Sequence, residues 1–220
     1  MKQDFAIIGL GRFGGSICEE LALKGMHVLA IDRNEQRINE FKNIATHSII
    51  LDATNEEALK EIGIQEVDHV IVAIGDDIQA SILTTVILSD LKVKKITVKA
   101  MDDYHEKILR KIGADHIVHP ERDMGKRIAH SLMSNNILDY LELSEHHSIV
   151  EIKASHKMIG KNLIELDVRK NYGCNVVGIK RGTSMNVSPT ATDTITPEDI
   201  LIIIGSNEDI DKLEKDLVTT

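Results

Sequence analysis

The sequence predicts an α/β protein in which a doubly wound parallel sheet is followed by a second, smaller α+β domain. Three observations lead to this prediction. The first 120 residues alternate short apolar runs with helical stretches, a glycine-rich loop follows the first apolar run, and the last third of the chain changes to two-residue alternation. Strands that alternate with helices are typical of βαβ units, which place their strands in parallel within one sheet.

The strands predicted in the first part of the chain are largely apolar. They cover 5–9, 28–32, 48–51, 69–73, 96–98 and 116–118. The stretches between them repeat apolar residues at spacings of three and four, which predicts helices at 15–24, 36–42, 55–62, 78–91 and 104–112. Strands that are apolar on both faces need helices on both sides of the sheet.

The pattern changes after residue 120. Residues 123–143 predict a helix that is interrupted near residues 134–136 and that carries Met124, Ile128 and Leu132 on one stripe. Such a stripe needs a partner, which is either the same domain or a second copy in a dimer. Two-residue alternation then predicts antiparallel strands at 148–154, 175–181 and 199–206. The expected domains are therefore 1–134 and 135–220.

Composition limits the classes of function. The 220 residues carry a formal net charge of −9 and are 3% aromatic. This argues against a nucleic-acid partner, because phosphates need a basic surface and bases need aromatic platforms. The longest apolar runs are strand-sized, and the first residues enter a strand directly, so we expect a cytoplasmic protein without a membrane span. Cys18 and Cys174 are expected to be free thiols.

The glycine loop has the spacing G-x-G-x-x-G. Gly9, Gly11 and Gly14 follow the first strand and open the first helix, and Asp32 ends the second strand of the same βαβ unit. In a Rossmann-like domain this arrangement binds an adenine nucleotide: the glycines let the backbone approach the phosphates, and the acidic residue accepts ribose hydroxyls. A carboxylate at Asp32 repels a 2′-phosphate, which disfavours NADP. The alternative is a structural glycine turn without a ligand.

Arg12 lies inside the glycine loop, where many dehydrogenases have a small or apolar residue. A guanidinium at this position can form charge-assisted hydrogen bonds to further phosphate groups, such as the terminal phosphate of ATP or ADP. The other interpretation is an exposed arginine beside a helix start.

The chain as a whole resembles the KtrA- and TrkA-type regulatory subunits of potassium uptake systems, which combine an RCK N-terminal (TrkA-N) domain with an RCK C-terminal (TrkA-C) domain. The resemblance rests on an ordered series of segments at 7–21, 51–59, 70–85, 113–121 and 175–182, which read IIGLGRFGGSICEEL, LDATNEEAL, VIVAIGDDIQASILTT, GADHIVHPE and NVVGIKRG. It covers about the whole chain.

This resemblance implies a non-enzymatic gating subunit. Such proteins form homodimers that assemble into an octameric ring beneath a membrane potassium translocating subunit, so the chain would be peripheral to the inner face of the cell membrane. ATP or ADP, and in some members NAD or NADH, binds the N-terminal domain and changes the ring. The alternative from another class is an NAD-dependent oxidoreductase with a reduced substrate domain.

Carried over to this sequence, the resemblance assigns a nucleotide site at the ends of the strands. The residues expected there are Gly9, Gly11, Arg12, Phe13 and Gly14 at the phosphates, Asp32 and Arg33 at the ribose, Asp52, Ala53 and Thr54 at the adenine, Gly75 and Asp76 after the fourth strand, and Lys99 on the far side of the phosphates. Parallel strands bring such positions to one edge of a sheet. For Asp52 and Asp76, helix N-capping is an alternative or additional role, since Thr54 or Asp76 precedes a helical stretch.

Glu121 corresponds to an acidic residue that, in the resembling family, lies near the nucleotide phosphates at the dimer interface. A carboxylate there is compatible with a divalent cation, Mg²⁺ or Ca²⁺, that bridges it to the phosphates. His116 and His119 are near in sequence, but strand alternation sends them to opposite faces, so that a zinc site is not expected.

The resemblance also implies a ligand site in the C-terminal domain, because RCK C-terminal domains of Ktr-type subunits from several Gram-positive bacteria are receptors for cyclic di-AMP. This two-fold symmetric molecule suits a two-fold dimer interface. The residues expected at the site are Leu163, Ile164, Arg169, Asn175, Val177 and Pro189. Arg169 would pair with a phosphate, and Asn175 would hydrogen-bond an adenine edge or a ribose. Ile164, Val177 and Pro189 would supply apolar surface against a base. The alternative is that Ile164 and Val177 are core residues and Arg169 forms a surface ion pair.

Overall fold

The computed structural model describes residues 3–133 and 136–218. The chain forms two compact units that divide between Pro120 and Glu121. The first unit holds a parallel sheet, and the second holds an antiparallel sheet. Among the residues described, no helix combines the length and the apolar character needed to cross a membrane.

Within its described residues, the first unit is built on six parallel strands. They are β1 Asp4–Ile8, β2 His27–Asp32, β3 His47–Ile50, β4 His69–Val72, β5 Ile96–Lys99 and β6 His116–Val118. The connecting helices are α1 Arg12–Leu23, α2 Glu35–Phe41, α3 Glu56–Glu61, α4 Ile78–Asp90 and α5 Asp103–Lys111, with a short 3₁₀ turn at Ile64–Glu66. The strand order β3-β2-β1-β4-β5-β6 is the doubly wound order, so the predicted Rossmann-like fold is confirmed.

The central strand β1 shows why this sheet needs a layer of helices on each side. Ala6 and Ile8 pack into one apolar cluster, and Ile7 between them packs into another. All three side chains are buried. Because successive side chains of a strand point to opposite faces, an apolar run of this kind is stable only between two covering layers.

Side-chain caps fix the residues at which the connecting helices begin. Asn34 caps α2, Asn55 caps α3 and Asp77 caps α4, each by accepting a hydrogen bond from a backbone N–H of the first turn. These caps satisfy donors that the helix itself cannot pair. The capping role predicted for Asp52 and Asp76 is therefore wrong, because α3 is capped by Asn55 and α4 by Asp77, one residue after Thr54 and Asp76.

The second unit holds an antiparallel sheet, so the predicted α+β domain is confirmed. Within the described residues its strands are β7 Ile137–Ser144, β8 His147–Lys153, β9 Asn175–Arg181, β10 Ser184–Asn186 and β11 Asp199–Ser206, in the order β10-β9-β11-β8-β7. The helices are α6 Pro120–Met133, α7 Leu163–Leu166, α8 Val168–Tyr172 and α9 Asn207–Leu213, followed by a π-helical turn at Glu214–Val218.

The helix predicted at 123–143 is wrong in its second half. Helix α6 ends at Met133, and Ile137–Ser144 form β7, which pairs with β8. A run this short can satisfy both the helical and the strand spacing, and the backbone hydrogen bonds to β8 decide the outcome. The predicted break at 134–136 begins with Ser134 and Asn135, which lie outside the described residues.

Helix α6 packs against the sheet of the second unit. Arg127 Nε donates to Asp139 Oδ1 at 2.6 Å, and the ring of His130 stacks on Tyr140 with the ring centroids 3.9 Å apart. These contacts explain why α6 belongs to the second compact unit, although the sequence predicts that the first domain continues to residue 134. The predicted boundary itself, at 134–135, lies outside the described residues.

The apolar stripe of α6 is exposed. Met124 is 49%, Ile128 51% and Leu132 80% accessible to solvent. Packing on the same domain thus leaves about half of Met124 and Ile128 and most of Leu132 uncovered. Contact with a second copy stays a prediction.

A buried ion pair joins β11 to β9. The Asp199 carboxylate is completely buried and accepts hydrogen bonds from Arg181 Nε at 2.7 Å and Nη2 at 2.8 Å. The backbone N–H of Thr196 donates to the same carboxylate at 2.8 Å. These donors, the guanidinium above all, lower the pKa of Asp199 from 3.8 to about 2. The bidentate pair therefore fixes the register in which Asp199 faces Arg181.

Replacing Arg181 with methionine is expected to destabilise the second unit by about 3 kcal/mol at neutral pH, because Asp199 would remain buried without its cationic partner. The pair depresses the folded-state pKa of Asp199, so its contribution is complete above the unfolded value of 3.8 and is lost as the pH falls to about 2. Urea unfolding at neutral pH and at about pH 3 measures both effects. Lys161→Met, at an exposed position, is the control. A difference that is equally large at both pH values would contradict the assignment.

Candidate functional site

The loops that follow β1 to β5 meet at the carboxyl edge of the parallel sheet. In doubly wound sheets, ligands bind in the crevice at this edge where the strand order reverses, which here lies between β1 and β4. The predicted residues of the first unit at this edge are Gly9, Gly11, Arg12, Phe13, Gly14, Asp32, Arg33, Asp52, Ala53, Thr54, Gly75, Asp76 and Lys99. The structure thus brings them to one edge, and their contact with a nucleotide stays a prediction.

The glycine loop closes tightly on the start of α1. Gly9 has a φ of +95°, a left-handed conformation that favours glycine. A β-carbon at Gly14 would lie 1.9 Å from the carbonyl oxygen of Gly9, so that only glycine fits there. Gly11 is the N-cap of α1, and no side chain caps the first backbone N–H groups. An uncapped helix start beside a glycine loop is the geometry that binds phosphate.

The Asp32 carboxylate ties the ends of β1 and β2 together. Its Oδ2 accepts a hydrogen bond from the backbone N–H of Leu10 at 2.7 Å, and its Oδ1 accepts one from the backbone N–H of Asn34 at 2.8 Å. The side chain is only 5% exposed. Two backbone donors fix the plane of the carboxylate, and its remaining lone-pair positions can accept from a ligand hydroxyl. Asp32 is therefore an anchor of the loop as well as a candidate ligand-binding residue.

Arg37 belongs to the same corner, although no sequence motif predicts it. It lies on α2, and its Nη1 is 3.5 Å from Asp32 Oδ2. A β-carbon at Gly11 would lie 3.8 Å from the same nitrogen. The signal that points to it is its place in the first turn of the helix that follows Asp32 directly.

Arg12 and Arg33 lie at this edge with their side chains in solvent. Arg12 is the first residue of α1 and is exposed. Arg33 is also largely exposed, and its Nη1 is 3.9 Å from Asp77 Oδ2. Exposed arginines keep their rotamer freedom, so both side chains can turn toward a bound anion.

At the end of β3, Asp52 forms a local turn with Thr54. Its Oδ1 accepts hydrogen bonds from the backbone N–H of Thr54 at 3.0 Å and from the Thr54 hydroxyl at 2.7 Å, and both lower the pKa of the Asp52 carboxyl. Ala53 is buried between them, and its carbonyl accepts from the Thr84 hydroxyl at 3.2 Å. Asp52 thus shapes the loop through a turn rather than through a helix cap.

Lys99 places a buried positive charge at the carboxyl end of β5. A β-carbon at Gly75 would lie 3.3 Å from Lys99 Nζ, and the same nitrogen is 6.0 Å from the centre of the Phe13 ring. The structure therefore brings Gly75, Lys99 and Phe13 together from three different elements. A buried ammonium at this edge raises the local positive potential.

Glu121 belongs to the second unit, where it lies in the first turn of α6. Its role as a ligand of Mg²⁺ or Ca²⁺ beside the phosphates stays a prediction. His119 is buried, and its Nε2 is 2.7 Å from Glu106 Oε2. In the part of the chain that the structure describes, no three His, Cys, Asp or Glu side chains are grouped as metal ligands.

The apolar residues predicted for the cyclic di-AMP site are exposed. Ile164 is 61% and Val177 39% accessible, so the alternative that they are core residues is wrong. Val177 is the extra residue of a β-bulge, because β11 pairs with the residues on either side of it and skips it. A bulge re-aims the side chain of the residue that it leaves unpaired.

The remaining residues of that prediction lie on neighbouring segments. Leu163 is on α7, Arg169 on α8 and Asn175 at the start of β9. The backbone N–H of Ile164 donates to the Ala191 carbonyl at 3.1 Å, which brings α7 beside the loop that contains Pro189. Arg169 and Asn175 are exposed. Their contact with a ligand stays a prediction.

Comparison with known proteins finds one family model for each unit. The TrkA-N domain matches residues 5–120, and the TrkA-C domain matches residues 147–218. In this chain the doubly wound first unit is therefore a TrkA-N domain, and the α+β second unit contains a TrkA-C domain.

Two relatives that align with nearly the whole chain are potassium uptake proteins. Ktr system potassium uptake protein C of Bacillus subtilis (strain 168) is 60% identical over 220 residues, which cover 100% of both chains. Ktr system potassium uptake protein A of the same organism is 49% identical over 215 residues, which cover 98% of this chain and 97% of the relative. The chain belongs to the Ktr family of TrkA-type potassium uptake regulatory subunits.

Solved structures share the fold at low identity. The GsuK RCK domain aligns with a TM-score of 0.71 and 15% identity, covering 100% of this chain and 48% of that chain. The TrkA-N domain of the inner membrane protein ybaL from Escherichia coli aligns with a TM-score of 0.54 and 18% identity, covering 61% of this chain and 98% of that one. These structures support the RCK fold.

Replacing Gly14 with alanine is expected to destabilise the first unit by roughly 3 kcal/mol, because the new β-carbon would overlap the Gly9 carbonyl and force the loop away from α1. Urea unfolding of the full chain measures the change. Gly125→Ala on α6 is the matched control, since a β-carbon there meets nothing within 4 Å, and it is expected to be neutral or to stabilise by about 1 kcal/mol. Equal effects of the two substitutions would refute the tight contact.

Proposed function

We propose that this chain is a non-enzymatic subunit that gates a membrane potassium translocating subunit in response to nucleotides. It would work in the cytoplasm, held at the inner face of the cell membrane by its partner. ATP or ADP would bind the first unit, with NAD or NADH as alternative occupants. The observation that carries this proposal is the glycine loop, in which Gly14 packs on Gly9 and the start of α1 is left uncapped.

The chemistry of the crevice supports an adenine nucleotide. Phosphates would bind the first N–H groups of α1, where the helix dipole adds positive potential. The ribose would lie against Asp32, whose carboxylate repels a 2′-phosphate and so disfavours NADP. Exposed Arg12 would reach the terminal phosphate of ATP or ADP, and buried Lys99 would add charge beneath it.

The acidic side chains of the crevice and the two buried cysteines of the chain support a sensor rather than an enzyme. Asp32 is held by two backbone N–H groups, and Asp52 is held by Thr54. Burial raises the pKa of both Cys18 and Cys174 to about 11, so neither thiol is a nucleophile at neutral pH. A bound nucleotide would then act through its differential affinity for two conformations. Formation of NADH from alcohols or hydroxy acids would instead favour the oxidoreductase alternative.

The proposed assembly is a homodimer that forms an octameric ring. The exposed stripe of Met124, Ile128 and Leu132 supports contact between copies, because apolar patches of this kind are typical of interfaces. We propose functional domains at 1–134 and 135–220, which count α6 with the nucleotide-binding domain although its contacts in this structure are with β7. Molar mass from light scattering checks the octamer, and a monomer at micromolar concentration would contradict it.

We also propose that Glu121 and the nucleotide phosphates share Mg²⁺ or Ca²⁺ in the assembled ring. A carboxylate close to phosphates is unfavourable unless a cation bridges them. Titration of ATP with and without Mg²⁺ into the wild type and Glu121→Gln is the test. A gain in affinity from Mg²⁺ that survives in Glu121→Gln would count against this role.

Replacing Arg12 with alanine is expected to weaken ATP binding by about 1–3 kcal/mol and AMP binding much less, because a charge-assisted hydrogen bond to the terminal phosphate is lost. Calorimetric titration into the full chain measures both affinities. Lys24→Ala, at the exposed end of α1, is the control. Equal losses for ATP and AMP would contradict the role of Arg12, and a wild type that binds neither would contradict the nucleotide proposal.

For the second unit we propose cyclic di-AMP as the ligand, bound across the two-fold axis of the dimer. The exposed side chains of Ile164 and Val177 support an apolar platform for a base. Exposed Arg169 would pair with a phosphate, and Asn175 would bond an adenine edge or a ribose. Leu163 and Pro189 would complete the site.

Replacing Arg169 with alanine is expected to weaken cyclic di-AMP binding at least tenfold, since a charge-assisted hydrogen bond to a phosphate is worth about 1.5–3 kcal/mol. Titration of cyclic di-AMP into the full-length wild type and variant measures the loss. Lys170→Ala, the next exposed cation on α8, is the matched control. Unchanged affinity in Arg169→Ala would remove this residue from the site, and a wild type that does not bind would remove the site.

A further inference from the structure

Arg37 lies at the corner between Asp32 and Gly11, and the proposed function gives it no role. Its Nη1 is 3.5 Å from Asp32 Oδ2, and a β-carbon at Gly11 would lie 3.8 Å from the same nitrogen. The side chain is 42% exposed. The guanidinium therefore lies beside a buried carboxylate and beside the glycine loop at which the phosphates would bind.

The hydrogen bonds already made by Asp32 limit what its carboxylate can still accept. Each carboxylate oxygen has two lone-pair positions. Oδ2 faces the backbone N–H of Leu10 and the Arg37 guanidinium, and Oδ1 accepts from the backbone N–H of Asn34. One position, on Oδ1, is left for a ligand. A ribose presents two neighbouring hydroxyl groups, so Asp32 alone can accept from only one of them.

We propose that Arg37 binds the other ribose hydroxyl, with its guanidinium donating to the hydroxyl oxygen while it remains paired with Asp32. This inference rests on the proposed function, since it requires an adenine nucleotide at this corner. Arg37 is then a specificity-determining residue, which selects an intact ribose over a deoxyribose. Asp32 accepts a hydrogen bond from one ribose hydroxyl, and Arg37 donates a hydrogen bond to the oxygen of the other.

The geometry of Arg37 suits this division. A guanidinium carries five N–H donors in one plane, enough to serve a carboxylate and a hydroxyl at the same time. Its backbone is fixed, because Asn34 caps α2 and accepts hydrogen bonds from the backbone N–H groups of Gln36 and Arg37. The Cα position of Arg37 is therefore fixed close to the end of β2.

The experiment compares ADP, 2′-deoxy-ADP and 3′-deoxy-ADP by calorimetric titration into the full chain. In the wild type, each missing hydroxyl is expected to weaken binding by about tenfold. In Arg37→Met, the penalty for one of the two analogues is expected to fall to near onefold, while the penalty for the other, which reports on Asp32, remains. Arg37→Lys, which keeps a donor without the planar fork, is expected to restore part of the lost penalty. Arg110→Met, at an exposed arginine of α5, should leave both ratios unchanged.

The outcomes separate this inference from the proposed function. If Arg37→Met weakens the binding of all three ligands by the same factor and both analogues keep their penalties, Arg37 only positions Asp32. The inference is then overturned. If the wild type binds ADP without a penalty for either analogue, it is overturned as well. Absence of ADP binding by the wild type overturns the nucleotide proposal together with the inference.

Discussion

The hydrogen bond from the backbone N–H of Leu10 to the Asp32 carboxylate is the contact on which the site of the first unit depends. It joins the glycine loop to the end of β2, so the shape of the loop and the position of the acid are set together. Because Asp32 is buried, water cannot replace a lost donor at full strength, and breaking the bond would leave a buried charge underpaired. This hydrogen bond also sets the positions of its neighbours, because α1 packs on Gly9 and Arg37 lies beside Asp32.

The first unit could be predicted because its local pattern and its tertiary structure agree. An apolar strand such as β1 requires cover on both faces, so the strand and the helices around it follow from one observation. In the second unit the local pattern and the tertiary structure agree less well. Residues 137–144 form a strand because they pair with β8, and the local spacing does not encode this contact. The residues at which helices begin are also hard to predict from the sequence. Asn55 and Asp77 are the N-caps, although Thr54 and Asp76, one residue earlier, have side chains that can cap equally well.

Site residues can be predicted from the sequence when the backbone conformation of the site requires a particular residue type. They are harder to predict when the side chain belongs to an element that is distant in sequence. Gly9 and Gly14 follow from a motif because a β-carbon cannot be accommodated at Gly14. Arg37 reaches the same corner from α2, and only the folded arrangement shows it. Val177 is exposed because of a bulge opposite β11, a feature that the alternation of β9 does not mark.

The distribution of charge bears on how such a site would tell one nucleotide from another. The chain carries a formal net charge of −9, so its overall field does not attract a polyphosphate. Positive charge at the crevice is instead local, and part of it is already paired: Arg33 lies 3.9 Å from Asp77, and Arg37 lies 3.5 Å from Asp32. An entering phosphate therefore exchanges one ion pair for another, and the net gain from each is small. Because the net gain in charge is small, affinity depends on the positions of the phosphate and hydroxyl groups of the ligand relative to these side chains. This dependence on position lets a binding protein distinguish two nucleotides of similar charge.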